Sequence, residues 1–252
     1  MRAMILAAGL GTRLRPLTVH RPKALVEVAG RTLLEITLSR LRAFGVREAI
    51  VNAHHYADMI VDYLKANGNF GMRIEVSREE VLLDTGGGLK RAAWFFLDSS
   101  RSLQEPFILH NVDVISTIDL GLMVQFHNEQ AALATLAVQD RKTSRYLLFD
   151  QDGLLCGRQA RAEAASAEYG QAELARPARE LQVLGFSGIH VISPQLFTKM
   201  SEDGAFSIID AYLHLAAQGE KIVAFHADEY AWRDLGRPES VIQAGRELET
   251  ES

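Results

Sequence analysis

The stretch that decides the fold is residues 5–25, ILAAGLGTRLRPLTVHRPKAL. It starts with an apolar run typical of a buried strand, and the run breaks into Gly9 and Gly11. A glycine turn after a strand exposes backbone N–H groups that can hold phosphate oxygens. Arg13 lies in this turn and Lys23 follows it, and a guanidinium fork with an ammonium suits a polyphosphate. The order of residues therefore predicts a strand followed by a phosphate-binding loop.

Two familiar phosphate-binding motifs can be excluded for this loop. Position 14 is leucine rather than the third glycine of the dinucleotide fingerprint, and no Gly-Lys-Ser/Thr P-loop occurs in the chain. An ordinary surface loop with solvated bases remains the alternative.

Outward from this stretch, the first half of the chain alternates between strands and helices. Strand–helix repeats of this length imply right-handed crossovers and ligands beyond the carboxyl ends of the strands. We therefore expect an α/β, Rossmann-like, doubly wound sheet that is mixed and mainly parallel. The predicted strands are 3–7, 48–53, 72–76 and 106–111, and the predicted helices are 33–45, 56–68 and 85–97.

The second half is less regular, and one segment in it has no clean apolar face. Residues 157–180 are rich in Ala, Arg and Glu and are punctuated by Gly170 and Pro177, which favours a loop or lid over an exposed helix. No linker divides the chain, so we expect one domain over 1–252 without a C-terminal β-helix. The predicted strands are 131–138, 145–150, 181–192, 221–227 and 230–236, and the predicted helices are 207–219 and a last one from Pro238.

Composition excludes several classes of function. The chain has 252 residues and is 48% hydrophobic, which is enough for a real core. Its 27 basic and 32 acidic residues give a net charge of −5, which argues against nucleic acid or a membrane as partner. Cys156 is the single cysteine, so no internal disulfide forms, as in a cytoplasmic protein. No apolar run reaches the length of a membrane span, and we expect a monomer or small homo-oligomer.

The segments LAAGLGTRLRPLT and RPKALVEVAG resemble the signature of the sugar-1-phosphate nucleotidyltransferases, the pyrophosphorylases that make nucleotide sugars. The layout is similar to that of short, single-domain members such as the N-acetylmuramate-1-phosphate uridylyltransferases and the mannose- or heptose-1-phosphate guanylyltransferases. In this family the glycine turn wraps the NTP, and the arginine and lysine of the motif hold its phosphates and help pyrophosphate leave. The resemblance places NTP binding on Leu6, Ala7, Ala8, Gly9, Gly11, Thr12, Arg13 and Lys23, and catalytic roles on the last two.

Nucleotidyl transfer also needs a cation. The sugar phosphate attacks the α-phosphorus in line, so positioning and a hard divalent metal matter more than a nucleophilic side chain. Asp113 comes just after the predicted strand 106–111, and Asp234 lies near the end of the predicted strand 230–236. The resemblance implies that they hold Mg²⁺ and that Asp113 is catalytic. The alternative for each is a helix-capping or turn carboxylate. Val112 stands where the family commonly has glycine.

A second glycine-rich segment, EEVLLDTGGGLKRA at 79–92, opens a predicted helix. Its glycines would leave backbone groups bare and let a flat base pack close. The resemblance implies base contacts from Glu79, Gly86 and Gly87, and a flexible cap with Asp84 or Thr85 as N-cap is the alternative.

The acceptor side is less distinctive. Asn111 and the segment FSGIHV, which contains Ser187 and Gly188, resemble family segments that meet the sugar phosphate. A Glu-Lys-Pro segment of many relatives is not recognisable. The candidates to replace it are Arg158, Arg161 and Arg176, with solvated charge as the alternative.

Together these features predict a Mg²⁺-dependent enzyme that condenses a sugar 1-phosphate with an NTP, UTP or GTP, to give NDP-sugar and pyrophosphate. The resemblance implies an NTP-binding half over 1–135 and a sugar-phosphate-binding half over 136–252. Two alternatives stay open: a cytidylyltransferase for a non-sugar phosphate such as phosphocholine, and a catalytically silent regulatory subunit that binds a nucleotide sugar. Neither the base nor the sugar follows from these residues.

Overall fold

The computed structural model describes residues 1–97, 105–160 and 170–250, with side chains up to 247. The strands in this part of the chain are β1 Arg2–Leu6, β2 Glu27–Val28, β3 Arg31–Thr32, β4 Glu48–Ala53, β5 Arg73–Arg78, β6 Phe107–Asn111, β7 Val114–Ser116, β8 Ala134–Gln139, β9 Arg145–Phe149, β10 Leu155–Ala160, β11 Glu173–Leu174, β12 Gln182–Ile192, β13 Ile222–His226 and β14 Trp232–Asp234. The α-helices are α1 Leu33–Phe44, α2 Ala57–Ala66, α3 Asp84–Arg91, α4 Ala93–Phe96, α5 Leu120–Glu129, α6 Leu196–Lys199, α7 Ile208–Ala217 and α8 Pro238–Thr250, and short 3₁₀ turns cover Thr12–Leu14, Lys23–Leu25 and Gly68–Gly71.

One large sheet runs through the molecule and is mixed and mainly parallel, as the sequence predicts. Strands β5, β4, β1 and β6 are parallel neighbours in that order. Strand β12 lies antiparallel beside β6 and also pairs with β8 and β9, and β13 adds to β8 in parallel. The sheet is therefore continuous between the two halves of the chain, and the boundary expected at 135 falls inside β8.

Both faces of this sheet are covered, as its apolar strands require. Along β1, Ala3 and Ile5 pack on the face covered by α1, α2, α5 and α8, while Met4 and Leu6 pack on the face covered by α3, α4, α6 and α7. A strand buried on both sides reads as a continuous apolar run. The opening run at 3–7 was therefore a reliable strand signal, and it places the glycine turn at the carboxyl edge of the sheet.

Helix α1 shows how closely local signals fix an element. The Thr32 side chain accepts the Glu35 N–H at 3.0 Å and caps the first turn. The helix ends at Gly45, whose φ of 104° lies in the left-handed region. Its Leu34, Leu38 and Leu41 are fully buried, as their helical spacing predicts.

The segment 157–180, predicted as a loop or lid, contains parts of two strands, while residues 175–180 have no helix or strand. Residues 157–160 belong to β10, which pairs with β9 and with the short β11. Gly157 faces Leu174 in this pairing, and a side chain at 157 would overlap the backbone of Glu173. The polar composition of the segment reflects a position at the sheet edge. Residues 161–169, with Arg161, lie outside the described residues.

Helix α5 was missed by the sequence reasoning, although its start carries a signal. The Asp119 carboxylate accepts the N–H groups of Gly121 and Leu122 at 2.8 and 3.0 Å, an N-cap that precedes buried Leu120 and Met123. As for membranes, none of the helices in the described ranges has the length and apolar character that a span requires.

We expect Thr32→Ala to lower the free energy of unfolding by about 1 kcal/mol, because the Glu35 N–H loses its side-chain acceptor. Urea denaturation followed by circular dichroism measures the change. Thr198→Ala is the control, since the exposed Thr198 hydroxyl on the short helix α6 donates to the Gln195 carbonyl without capping a free N–H. Equal effects of the two substitutions would contradict the capping role.

Candidate active site

The glycine turn after β1 is built around Lys23. Gly11 has a φ of 64°, and its carbonyl accepts a hydrogen bond from the Thr18 hydroxyl at 2.7 Å. A side chain at Gly9 would lie 3.3 Å from Cε and 3.4 Å from Nζ of Lys23. The glycines therefore make room for the Lys23 side chain to cross the turn.

Lys23 reaches the first predicted metal ligand. Its Nζ lies 3.2 Å from Oδ2 of Asp113, and both side chains are largely buried. Burial alone would raise the pKa of Asp113, but the Lys23 ammonium, with Arg13 further away, holds that pKa below its usual value. Asp113 is therefore an ionised carboxylate at neutral pH.

The two aspartates meet because β7 and β14 pair. Asp234, the last residue of β14, lies opposite Val114 in the antiparallel register. The Leu235 N–H donates to the Asp113 carbonyl at 2.8 Å. Residues 121 positions apart in the sequence therefore become neighbours at the carboxyl edge of the sheet.

Arg13 completes this group of charges. A Cβ built on Gly236 would lie 2.7 Å from Nη2 of Arg13 and 2.8 Å from Oδ1 of Asp234. The same Asp234 oxygen accepts the Gly236 N–H at 2.7 Å. Arg13 and Lys23 thus both turn toward the two carboxylates, as the sequence predicts, and Gly236 leaves the space that the guanidinium occupies.

The donor set suits a hard divalent cation. Within the described ranges, no group of three or more His, Cys, Asp or Glu side chains could hold a metal by itself. Asp113 and Asp234 offer two carboxylates, and Mg²⁺ in nucleotide sites is held by one or two carboxylates together with substrate phosphates and water. The residues fit Mg²⁺ as a partner of a bound polyphosphate, so the metal assignment stays a prediction that the donor chemistry supports.

The end of β1 is tied to a buried polar chain that the sequence reasoning missed. The Ala7 N–H donates to Asn52 Oδ1 at 2.7 Å, and Asn52 Nδ2 donates to Glu79 Oε1 at 2.7 Å. The other Glu79 oxygen accepts the Leu83 N–H at 3.0 Å. Both carboxylate oxygens of Glu79 therefore accept hydrogen bonds from within the protein. The contact of Glu79 with a nucleobase stays a prediction. A polar residue at the end of the predicted strand 48–53 was the available signal for Asn52.

Neighbouring residues of the predicted NTP loop also have definite positions. Ala8 is buried, the Leu6 carbonyl accepts the Val112 N–H at 3.2 Å, and Thr12 is exposed at the start of a 3₁₀ turn. Val112 is fully buried in the core. The valine found in place of the family glycine is thus accommodated by packing.

The three-glycine helix differs from the expectation of bare backbone groups. The Gly86 and Gly87 N–H groups donate to the Phe206 carbonyl at 2.9 and 3.3 Å. A Cβ at Gly86 would overlap the Phe206 ring, and one at Gly87 would overlap the Gly204 carbonyl. The glycines let α3 pack against the loop before α7, so a base contact from Gly86 or Gly87 would have to use groups other than these N–H donors.

Neither predicted N-cap of this helix acts as one. Helix α3 has no side-chain cap, and Asp84 begins it with a φ of 57°. The Thr85 hydroxyl instead accepts the Ile208 N–H at 2.9 Å, at the start of α7.

The predicted acceptor residues converge at a bulge in β12. The pairing of β12 with β8 shifts register between Phe186 and His190. Gly188 in the bulge has a φ of 75°, and a Cβ there would lie 2.8 Å from Nδ2 of Asn111. Asn111 and Gly188 are therefore in contact. Ser187 is fully buried, and its hydroxyl has no hydrogen-bond partner in the part of the chain that the structure describes.

The backbone carbonyl of Asn111 is hydrogen-bonded to the buried side chain of His110. Arg40 donates to His110 Nε2 at 3.2 Å and also bonds the Ile118 carbonyl, so Nδ1 of His110 carries the proton that goes to the Asn111 carbonyl at 2.7 Å. Burial, aided by Arg40, lowers the pKa of His110 to about 3. This histidine is a neutral structural group.

The arginines proposed from sequence for the sugar phosphate have other partners. Arg158 pairs with Glu173 at 2.7 Å and with Asp210 on α7. Arg176 lies 4.0 Å from Asp150. The structure therefore gives both cations intramolecular roles.

Comparison with known proteins agrees with this geometry. A family model described as nucleotidyl transferase matches residues 2–168. The N-acetylmuramate alpha-1-phosphate uridylyltransferase of Caulobacter vibrioides is 35% identical over 98% of this chain and 96% of that protein. The UTP–glucose-1-phosphate uridylyltransferase of Synechocystis is 28% identical over 98% of this chain, which spans 63% of that relative's length. The crystal structure of HddC from Yersinia pseudotuberculosis complexed with GMP-PN superposes with a TM-score of 0.73 and 22% identity, covering 98% of this chain and 99% of that one, which shows a shared fold.

We expect Gly87→Ala to lower the free energy of unfolding by about 1–3 kcal/mol, because the methyl group would overlap the Gly204 carbonyl and force the two segments apart. Gly245→Ala in α8 is the matched control. Its new Cβ would meet nothing closer than 3.8 Å, so alanine there should be neutral or stabilising. Urea unfolding compares the two variants, and an unchanged stability of Gly87→Ala would contradict the packing described.

We expect Lys23→Met to raise the pKa of Asp113, because the largest opposing charge to the burial of that carboxylate is removed. The carboxyl ¹³C shift of Asp113, followed by NMR through an acid titration, measures the change. Lys65→Met, at an exposed position on α2, should leave the titration as it is in the unmodified protein. An unmoved pKa in Lys23→Met would show that other groups hold the carboxylate ionised.

Proposed function

The chain belongs to the sugar-1-phosphate nucleotidyltransferase family, and from this premise we propose that it condenses a sugar 1-phosphate with UTP, in the presence of Mg²⁺, to give UDP-sugar and pyrophosphate. The choice of base rests on the Caulobacter relative, a uridylyltransferase that aligns with nearly the whole chain. GTP is the second candidate, because the structure of HddC, similar in fold, holds GMP-PN.

One observation carries the proposal. The Leu235 N–H bond to the Asp113 carbonyl joins the backbone segments that carry the two carboxylates. Lys23 lies beside Asp113, and Arg13 lies near Asp234. A triphosphate and a sugar phosphate are both polyanions, so a site that brings them together needs cations on one side and metal-binding carboxylates on the other.

The residues then divide the reaction between them. Backbone N–H groups of the glycine turn hold the triphosphate, and Arg13 and Lys23 neutralise the charge that grows on the departing pyrophosphate. An oxygen of the sugar phosphate forms a bond to the α-phosphorus as the bond to pyrophosphate breaks. That oxygen is already ionised, so no general base is required. Asp113 and Asp234 would hold Mg²⁺, which would supply positive charge to offset that of the phosphates.

The alternatives draw less support. A silent regulatory subunit would not need two cations and two carboxylates assembled at one edge, as Arg13, Lys23, Asp113 and Asp234 are here. No contact among the described residues specifically favours phosphocholine.

A turnover screen tests the proposal. UTP, GTP, CTP and dTTP are each combined with sugar 1-phosphates, N-acetylmuramate 1-phosphate included, and with phosphocholine, and pyrophosphate release is followed with Mg²⁺ or with EDTA. We expect release with UTP and a sugar 1-phosphate only when Mg²⁺ is present. Release with phosphocholine and CTP alone, or no release with any pair, would reject the proposal.

We expect Asp113→Ala to reduce the rate about a thousandfold if the metal contributes ~4 kcal/mol to the transition state. Asp152→Ala is the control, because Asp152 lies exposed in a turn. Steady-state kinetics with the best substrate pair measures both. A loss of less than about tenfold in Asp113→Ala would reject the assigned role.

A further inference from the structure

Arg141 follows β8 and lies against the bulge of β12. Its Nη2 donates to the Phe186 carbonyl at 2.6 Å, directly before Ser187. A Cβ at Gly185 would lie 3.0 Å from Cγ of Arg141, so glycine there leaves room for the arginine side chain. The bulge that brings Gly188 to Asn111 thus also anchors Arg141.

The guanidinium of Arg141 is fixed from a second side. It stacks on the Trp232 ring, 3.7 Å from the ring centroid. Trp232 in turn donates from Nε1 to the Ser187 carbonyl at 2.7 Å, and it lies two residues before Asp234 on β14. Arg141 is therefore held between the segment with the predicted acceptor residues and the strand that ends in a predicted metal ligand.

The hydrogen-bonding capacity of Arg141 is only partly used. Its Nε is buried and has no partner among the described residues, although a buried N–H without an acceptor is unfavourable. Asp234 acts on the guanidinium electrostatically, and we find no direct ion pair of Arg141 within the described ranges. A rigid, positively charged fork with an unused donor is suited to an anion with several oxygens.

We propose that Arg141 binds the phosphate of the acceptor sugar 1-phosphate and holds it beside Asp234 for attack on the nucleotide. This assignment rests on the proposed function. It pairs the partly exposed guanidinium with a polyanion. It also places one cation on the acceptor side, while Arg13 and Lys23 serve the triphosphate. Trp232 and the Phe186 carbonyl act as supports that keep the planar fork in one orientation.

Kinetics of Arg141→Gln and Arg141→Lys test this role. We expect Arg141→Gln to raise the KM for the sugar 1-phosphate at least about tenfold while the KM for the NTP changes little, because one charge-assisted contact is lost on the acceptor only. Arg141→Lys keeps the charge without the planar fork, so its KM for the sugar 1-phosphate should lie between those of the unmodified protein and Arg141→Gln. Arg145→Gln, which removes an exposed charge nearby on β9, should leave both KM values unchanged. Equal rises in the two KM values, or none, would overturn the assignment and indicate a purely structural arginine.

A binding measurement judges the same proposal without turnover. The chain has two tryptophans, so Trp94→Phe leaves Trp232 as the sole tryptophan beneath Arg141. Inorganic phosphate is titrated while Trp232 emission is followed, with potassium chloride at equal ionic strength as the reference. We expect a saturable change that disappears in Trp94→Phe/Arg141→Gln and persists in Trp94→Phe/Arg145→Gln. A change that survives the loss of Arg141, or no change at all, would overturn the proposal even if the substrate screen fails.

Discussion

The site depends on the pairing of β7 with β14. These are two short strands outside the main sheet, yet their register places Asp234 opposite Val114 and brings the Leu235 N–H to the Asp113 carbonyl. Two backbone segments far apart in the chain are thereby fixed at one edge of the sheet. Asp234 ends β14, and Asp113 lies in the two-residue turn between β6 and β7. Strands on both sides of this turn hold Asp113 rigidly, which favours the close positioning that phosphoryl chemistry requires.

Glycines do much of the shaping of the site, mostly by making room for protein. The missing side chain of Gly9 leaves space for Lys23, that of Gly236 leaves space for Arg13, and that of Gly87 leaves space for the Gly204 carbonyl. Each glycine therefore sets the position of a neighbouring group that a Cβ would displace. The glycine turn and the three-glycine helix look alike in sequence, but the first admits a cation and the second admits backbone from the loop before α7.

Charge is distributed unevenly around the site. Cations from the first half turn toward the two carboxylates, while the buried histidines behind them stay neutral: burial lowers the pKa of both His110 and His190 to about 3. His190 hydrogen-bonds the Tyr212 hydroxyl at 2.9 Å in the core. These two buried histidines therefore add no positive charge near neutral pH.

The sequence by itself determined the elements with strong local patterns: β1, α1 with its Thr32 cap and Gly45 end, and the glycine turn with Arg13 and Lys23. These follow from burial periodicity and capping, which involve neighbours in the chain. The tertiary structure alone decided the rest. It brought the segments of Asp113 and Asp234 together, and it paired the Gly86 and Gly87 N–H groups with the Phe206 carbonyl. It also placed residues 157–160 in a strand between β9 and β11. It also stacked Arg141 on Trp232. Each of these depends on contacts between residues far apart in the chain, which no local pattern encodes.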